Sequence, residues 1–325
     1  RRSSDLDLAT AIQARIGAPA AEVSPRPWAR PLARAYGLAL ALRDRAPRSP
    51  PTRLSVPVIS VGSTNARSPG RTSSVRWLVG ELQRRGHVVG VATRGYKRSR
   101  PGRDTRGSWT TTSAADLGDE GALLARCGAT VAAAPDRVHA ASALVQRGCT
   151  VVVLDDGLQH RALHRDIELV VVDARFPRAR GLLPVGERRE REIVPARADV
   201  VWVHHGDGLF LAPGLPIARR VGGLLRAGEP TAAPTEPVVW FCGVGHPAQV
   251  LAGFDGEVAD AWIARDHHTP PPDRLRRFLA GRPLLTTDKD LERLPDELRD
   301  EAYVLPLRVH VPEAGWLDGL GAGTP

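Results

Sequence analysis

A short apolar run that ends in two aspartates constrains the fold of this chain more than any other feature. Residues 150–154 are uninterrupted and rich in valine, which is typical of a strand buried on both faces of a parallel sheet. Asp155 and Asp156 follow directly, and α/β sheets bind ligands at this end of their strands. Two carboxylates there are costly unless a cation or several donors neutralise them. The run therefore predicts an α/β fold with a metal–phosphate site, and the alternative is a pair of acids that caps a following helix.

The neighbouring segments alternate between strand and helix patterns. Residues 56–61 predict the first strand, and a loop at 62–70 leads to a helix at 71–85 and a strand at 88–92. This order is a βαβ unit with parallel strands. Pro135 in the first turn of a later helix is a typical start signal. The further predicted elements before residue 205 are helices 120–126 and 135–146 and strands 130–133, 167–172 and 200–204.

A stretch rich in glycine and proline, residues 206–237, predicts a domain boundary. A second α/β pattern follows it, with strands at 238–242, 257–261, 284–287 and 303–307 and helices after Pro247 and at 273–279. We therefore predict three parts: an N-terminal helical segment at 1–50, a P-loop-like domain with a mostly parallel sheet flanked by helices at 51–225, and a smaller C-terminal α/β domain at 226–325.

Composition narrows the class of partner. The chain has 325 residues, 42% of them hydrophobic, and a net charge of +9, so it can bury a core and suits an anionic partner. Phospholipid headgroups or a phosphorylated substrate fit this charge, and we exclude nucleic acid because no RNA-binding motif or zinc-finger spacing is present. The three cysteines lack metal-type spacing and indicate a reducing compartment. The sequence contains no methionine, so we expect its translation start to be missing or removed.

Residues 28–45 form an amphipathic pattern. No stretch approaches 18 consecutive apolar residues, so no transmembrane span is predicted. Two interpretations remain open: a helix lying at a membrane interface, or an ordinary amphipathic helix packed on the main domain. The apolar residues at helical spacing are Trp28, Leu32, Ala35, Tyr36, Ala39 and Leu40, and the flanking arginines are Arg30, Arg34, Arg43 and Arg45.

The loop at residues 62–72 occupies the place of a phosphate loop, between the first strand and the first helix. It ends in Gly70-Arg71-Thr72, where a phosphate loop ends in Gly-Lys-Ser/Thr. The helix that follows directs its N–H groups and dipole at an anion, and the Thr72 hydroxyl is a candidate ligand of Mg²⁺. The lysine and the upstream glycines of a phosphate loop are absent.

Over nearly its whole length the chain resembles the tetraacyldisaccharide 4'-kinase family, the lipid A 4'-kinases. The most distinctive matching motif is Asp-Asp-Gly-Leu-Gln-His at residues 155–160. The other matching segments, in chain order, are residues 31–42, 56–62, 93–96, 118–120, 182–186, 243–247, 266–267 and 287–290.

The resemblance implies a reaction and a location. Members of the family transfer the γ-phosphate of ATP to the 4'-hydroxyl of a tetraacyldisaccharide 1-phosphate in lipid A biosynthesis, at the cytoplasmic face of the bacterial inner membrane. The implied cofactors are ATP and Mg²⁺. The implied partners are the acylated disaccharide lipid and the membrane surface, and no protein partner can be inferred.

The resemblance also implies roles for individual residues. Asp119 is the expected base for the sugar hydroxyl, with His267 orienting it. If the resemblance is set aside, each of these residues has a structural interpretation. Asp119 would be a helix cap and His267 a loop residue. Residues 94–95 would form a turn, and residues 287–290 would start a helix. The expected metal ligands are Thr72, Asp155 and Asp156, with Gln159 nearby. The expected nucleotide-binding residues are Gly62, Gly70, Arg71, Thr72, Arg94, Asp288, Lys289 and Asp290.

The chain departs from the family in the phosphate loop. Members carry Gly-Gly-x-Gly-Lys-Thr where this chain has Arg67, Ser68, Pro69, Gly70, Arg71 and Thr72. Two glycines are lost, Pro69 has no N–H to offer, and arginine does not replace lysine as a compact charge. Losing several transition-state donors slows turnover strongly, whereas Arg67 and Arg71 could rebuild a clamp. The kinase hypothesis therefore has two alternatives: a pseudokinase that binds the lipid without ATP turnover, and a nucleotide switch.

Overall fold

The computed structural model divides the chain into two compact units. One unit contains the described residues up to Arg219 and those from Val309 onward, and the other spans Arg220–Arg308. The described residues are 28–46, 49–66, 70–95, 108–109, 114–173, 181–204, 214–243, 250–264, 271–312 and 314–320.

Helices and strands alternate along the described residues. The helices are α1 (Ala29–Arg45), α2 (Arg71–Arg84), α3 (Ala114–Leu117), α4 (Asp119–Arg126), α5 (Arg137–Gln146), α6 (Pro272–Leu279), α7 (Asp288–Leu291) and α8 (Asp296–Arg299), with a 3₁₀ helix at Gly315–Leu320. The strands are β1 (Val58–Gly62), β2 (Val89–Thr93), β3 (Ser108–Trp109), β4 (Thr130–Ala133), β5 (Val151–Asp155), β6 (Ile167–Asp173), β7 (Val200–His204), β8 (Leu215–Val221), β9 (Leu225–Arg226), β10 (Glu229–Pro230), β11 (Val238–Cys242), β12 (Val258–Ile263), β13 (Leu284–Thr287), β14 (Tyr303–Leu305) and β15 (Leu307–His310).

The larger unit is built on a nine-stranded sheet in the order β15-β8-β7-β6-β1-β5-β2-β4-β3. The strands from β8 to β4 in this order pair in parallel, and β3 is antiparallel to β4. Side chains alternate between the two faces of a strand. Ile59 and Val153 pack in one core cluster with Trp202, whereas Val58 and Val152 pack in another. Because both faces are covered, the strands are continuously apolar, and the predicted α/β fold with a mostly parallel sheet is confirmed.

The smaller unit contains a six-stranded sheet in the order β10-β9-β14-β13-β11-β12. The four strands β14, β13, β11 and β12 are parallel, and the short β9 is antiparallel to both of its neighbours. Trp240 and Phe241 are fully buried on opposite faces of β11. Helix α6 covers the face of Phe241 with Leu275 and Leu279.

Two sequence expectations about helix starts change in the structure. Helix α5 begins at Arg137, and Asp136 is its N-cap, because the Asp136 carboxylate accepts from the backbone N–H groups of Val138 and His139. Pro135 therefore lies before the cap and not in the first turn. Residues 156–166 after β5 form turns and not a helix. The alternative that Asp155 and Asp156 cap a helix is therefore wrong.

The boundary between the units also differs from the expected position. The sequence placed one boundary between residues 225 and 226, whereas the structure divides the chain near Arg220 and again near Arg308. The second division arises because β15 joins the nine-stranded sheet and Trp316 packs edge-on against Trp202 in the core of that unit. The composition of the last residues carries no signal of this return.

Helix α1 packs on the larger unit along one face, as one of the two interpretations expected, and the membrane-interface interpretation stays a prediction. Leu40 is buried, and Tyr36 donates a hydrogen bond to the backbone carbonyl of Arg189, so one face packs on the larger unit. Leu38 and Leu42 lie on the other side of the helix and are 61% and 58% exposed, and Trp28 and Leu32 near its start are 62% and 51% exposed. Among the described residues, no helix is both long and apolar enough to cross a membrane.

Candidate functional site

The candidate site lies where β1 and β5 end. Val61 of β1 is in register with Asp155, the last residue of β5, so the loop after β1 begins beside the two aspartates. The Asp155 side chain is 2% exposed. Asp156 adopts a positive φ of 58°, a backbone conformation that aspartate tolerates better than most residues. The β5 end therefore presents two consecutive carboxylates at the edge where parallel sheets bind ligands.

Three carboxylates of the site share one arginine. The Arg71 guanidinium lies 3.3 Å from a carboxylate oxygen of Asp155, of Asp156 and of Glu120. Arg71 is the first residue of α2, and Glu120 is the second residue of α4. Arg71 therefore joins the end of β5 to the starts of two helices.

A second arginine, Arg189, also binds Asp156. Its two terminal nitrogens donate to the two Asp156 oxygens at 3.0 and 2.7 Å, a bidentate pair. One of them also donates to the Ser63 carbonyl at 3.2 Å. Arg189 thus ties the loop after β1 to the turn after β5.

Burial and these charges separate the two aspartates. Burial raises the pKa of Asp155 to about 6, although Arg71 opposes the rise. Burial would also raise the pKa of Asp156, but the hydrogen bonds from Arg189 and the charge of Arg71 outweigh it and lower that pKa. The Arg71 pKa is raised, because the three carboxylates outweigh its burial. The pair therefore contains one aspartate that is easily protonated and one that stays ionised.

The α4 start connects Asp119 to this cluster. The Thr72 hydroxyl donates to Glu120 at 2.9 Å, and Glu120 shares Arg71 with Asp155. Asp119 is the residue before Glu120 and the first residue of α4, and Gly118 occupies the N-cap position. Asp119 is therefore a helical residue next to the cluster and not the N-cap of α4.

Two glycines allow the close approach of backbone segments. Gly70 has a φ of 95°, and a Cβ there would lie 2.4 Å from His204 Nε2. A Cβ on Gly62 would lie 2.4 Å from Leu158 Cβ. Any side chain at either position would push α2 or β1 away from its neighbour.

Sequence reasoning did not identify Glu120, Arg189 or Arg137 as residues of the site. Arg137 is 4% exposed, and its guanidinium donates to the Ala134 carbonyl at 2.7 Å. Burial lowers its pKa to about 10, although Asp155 and Asp156 oppose the fall. Its Nε has no hydrogen-bond partner among the described residues. Its place just after the end of β4 was a usable signal, because the carboxyl ends of parallel strands meet at one edge.

Gln159 belongs to a second network beside the aspartates. Its amide nitrogen donates to the Ser63 carbonyl at 3.2 Å and to Glu190 at 3.3 Å. Glu190 is buried and also pairs with Arg43 of α1 at 2.8 Å and with Arg197 at 3.4 Å. The contacts of Gln159 give it a positioning role between the loop after β1 and residue 190.

Of the remaining expected residues, the structure describes Arg94, Asp288, Lys289 and Asp290. Arg94 is exposed just after β2. Asp288, Lys289 and Asp290 form the first turn of α7 in the smaller unit, with Thr287 as the N-cap, which matches the helix-start alternative. Arg67, Ser68, Pro69 and His267 lie outside the described residues, so their expected roles stay predictions.

The donors of the site fit Mg²⁺ by their chemistry. Asp155, Asp156 and Thr72 offer only oxygen atoms, which this ion prefers. Within the described ranges, no group of three or more acidic, His or Cys side chains could hold a metal ion by itself. Mg²⁺ is commonly bound by one or two carboxylates together with substrate phosphates and water, so the two aspartates suffice as the protein's share.

Comparison with known proteins decides the family. The family model described as Tetraacyldisaccharide-1-P 4'-kinase matches residues 26–320. The chain belongs to the tetraacyldisaccharide 4'-kinase family. The 4'-kinase of Aeromonas hydrophila is 38% identical over an alignment of 283 residues that covers 83% of this chain and 84% of that relative. The 4'-kinase of Alkalilimnicola ehrlichii is 37% identical over an alignment of 313 residues that covers 90% of this chain and 91% of that relative.

A solved structure extends the similarity to three dimensions. The crystal structure of an "apo" form of LpxK from Aquifex aeolicus in complex with ATP aligns with a TM-score of 0.73 and 26% identity. The alignment covers 90% of this chain and 96% of that one. The prediction of a P-loop-like fold is thereby confirmed. Membership of this kinase family favours the kinase hypothesis over the pseudokinase alternative.

Proposed function

We propose that this chain transfers the γ-phosphate of ATP to the 4'-hydroxyl of a tetraacyldisaccharide 1-phosphate in lipid A biosynthesis. The observation that carries the proposal is the carboxylate cluster at the ends of β1 and β5, which Arg71 and Glu120 join to the helix that begins at Asp119. Family membership over residues 26–320 supports the same reaction.

Phosphoryl transfer depends mainly on positioning and charge stabilisation. Asp119 accepts the proton of the sugar hydroxyl, and His267 orients it. Thr72, Asp155 and Asp156 would hold Mg²⁺, and the ion would neutralise phosphate charge there. Arg71, Arg94 and Arg137 offer guanidinium groups to the phosphates. The burial of Asp155 and Arg137 strengthens their electrostatic contacts.

A transfer assay with ATP that carries ³²P in its γ-phosphate tests the reaction. We expect purified protein with Mg²⁺ and the tetraacyldisaccharide 1-phosphate to form a lipid labelled at the 4' position. Asp119→Asn is expected to lower the rate by roughly 10² to 10⁴, the range that a general base contributes. Asp116→Asn is the matched control, because Asp116 lies three residues earlier in the chain, in α3, and its change is expected to leave the rate within twofold.

The two alternatives give different results in the same assay. A pseudokinase binds the acylated disaccharide but forms no labelled lipid in any variant. A nucleotide switch releases labelled inorganic phosphate at a rate that the lipid does not change. Equal rates for Asp119→Asn and the unchanged protein would remove Asp119 from its role as the base.

We further propose that α1 places the chain on the cytoplasmic face of the inner membrane, where an acylated substrate resides. Leu38 and Leu42 are exposed on the side of α1 that faces away from Leu40, and Trp28 and Leu32 are exposed near its start. Exposed apolar side chains flanked by arginine are typical of helices at a bilayer interface. The net charge of +9 favours anionic lipid.

Sedimentation with vesicles that contain anionic phospholipid tests this placement. We expect the double variant Leu32→Ser/Leu38→Ser to lose most of its vesicle binding while its thermal unfolding stays unchanged, because both side chains are exposed. The matched control is Val88→Ser, which alters a 50% exposed apolar side chain outside the helix. Unchanged binding of the double variant would refute the role of these exposed apolar side chains.

A further inference from the structure

Arg71 occupies the centre of the carboxylates that the proposed function assigns to Mg²⁺. Its Nε faces Asp155, one terminal nitrogen faces Asp156, and the other faces Glu120, each at 3.3 Å. Only 14% of the side chain is exposed. A planar guanidinium can make these three contacts together, whereas the compact ammonium of a lysine is a single point charge. The geometry therefore depends on the arginine that replaces the family's lysine.

Arg71 offsets part of the negative charge of the cluster. Asp155, Asp156 and Glu120 are three acids, and Arg189 contacts the same Asp156 oxygen as Arg71. Without Arg71, the buried Asp155 would lie beside two other acids with its closest cation removed. Leaving a buried charge without its partner is costly. A divalent cation would supply the same compensation at the same oxygens.

We propose that Arg71 is a tethered counter-ion that competes with the divalent metal for these carboxylates. The metal and the guanidinium repel each other and use the same oxygen atoms, so each weakens the binding of the other. Nucleotide phosphates relieve the competition because they offer Arg71 another anion. Metal binding by this chain therefore depends on nucleotide. The inference rests on the proposed function for the identity of the metal ligands, although its test needs no turnover.

Titration of nucleotide-free protein with Mn²⁺ tests the competition. Mn²⁺ shares the preference of Mg²⁺ for oxygen ligands, and the electron paramagnetic resonance signal of the free ion reports binding. We expect Arg71→Gln to bind Mn²⁺ at least tenfold more tightly than the unchanged protein, and Arg71→Lys to lie between them. Addition of a non-hydrolysable ATP analogue is expected to tighten Mn²⁺ binding more in the unchanged protein than in Arg71→Gln.

Arg84→Gln is the matched control, because it removes the same charge from the other end of α2, where Arg84 is 70% exposed. It is expected to leave Mn²⁺ affinity unchanged. If Arg71→Gln does not fold, the comparison of Arg71→Lys with the unchanged protein carries the test. Equal or weaker Mn²⁺ binding by the Arg71 variants would overturn the competition, and so would an absence of binding in every variant. Kinase activity of the unchanged protein would survive either result, so the proposed function is tested separately.

Discussion

Each unit of the molecule carries two aspartates just beyond a buried parallel strand, but the two pairs are neutralised differently. In the larger unit, Asp155 forms a hydrogen bond with Arg71, which is 84 residues away in the sequence. Asp156 forms one with Arg189, which is 33 residues away. In the smaller unit, Asp290 pairs with Arg293, three residues away and also buried. The charge partners of the first pair depend on tertiary structure, whereas the charge partner of Asp290 lies within its own turn.

The contacts of Asp290 explain this difference. One of its oxygens accepts from the Thr287 hydroxyl and from the Gly243 backbone N–H, each at 2.9 Å. The other accepts from Arg293 at 3.0 Å. These donors satisfy both oxygens of the buried Asp290 carboxylate with hydrogen bonds from the protein itself. An acid at the end of a strand is therefore a weak indication of a ligand site, and the sequence distance of its charge partner separates the two cases.

The largest effect that tests this comparison is on stability. Asp290→Ala leaves the buried Arg293 without its carboxylate, and breaking a buried pair costs about 3–5 kcal/mol. We expect that loss in the free energy of unfolding of the smaller unit, measured by chemical denaturation. ATP affinity of the remaining folded protein is the second measurement, because Asp290 was expected to bind nucleotide.

An exposed pair in the same unit provides the control. Asp296 and Arg299 have the same spacing, but the Asp296 side chain is 91% exposed. Asp296→Ala is expected to change the free energy of unfolding by less than about 1 kcal/mol. Loss of ATP affinity in Asp290→Ala without loss of stability would contradict the structural role and restore the expected nucleotide contact.

The fold was largely predictable from local patterns. The valine-rich run before Asp155 and the first strand at residues 56–61 predicted a parallel sheet, because strands covered on both faces are continuously apolar. The return of β15 to the nine-stranded sheet was not predictable. Strand pairing between distant segments leaves no mark on the composition of either segment.

The candidate site was predictable only in part. The position of Asp155 and Asp156 after a strand indicated a ligand edge, and the Gly-Arg-Thr at residues 70–72 marked the opposite loop. Arg189 and Glu120 were missed, because their contacts depend on side chains that only tertiary structure brings together. Arg71 was expected to contact nucleotide, and its contacts with three acids had no signal in the sequence.

A smaller effect tests the electrostatic side of the comparison. The pKa of Asp155 in the folded protein is about 6, against about 3.9 for an ordinary aspartate. Between these values the unfolded chain loses its proton first, so rising pH destabilises the fold by up to about 3 kcal/mol above pH 6. Asp155→Asn removes this penalty, and Arg71 keeps Asp156 and Glu120 as partners. We therefore expect the variant to be more stable than the unchanged protein by about 2–3 kcal/mol at pH 8, and the difference to disappear below pH 4.

Asp156→Asn is the matched control, and its effect on the free energy of unfolding is expected to be opposite in sign. The pKa of Asp156 is lowered in the folded protein, because Arg189 and Arg71 outweigh its burial. Its charge therefore stabilises the fold above the ordinary aspartate pKa, and this contribution is lost as the pH falls through the lowered value. The free energy of unfolding is measured from pH 4 to pH 8 in EDTA without nucleotide. At pH 8 we expect it to be higher for Asp155→Asn, and lower for Asp156→Asn, than for the unchanged protein. Two variants that shift stability in the same direction would show that burial and the arginines do not separate the two aspartates, and the contrast with the locally satisfied Asp290 would fail.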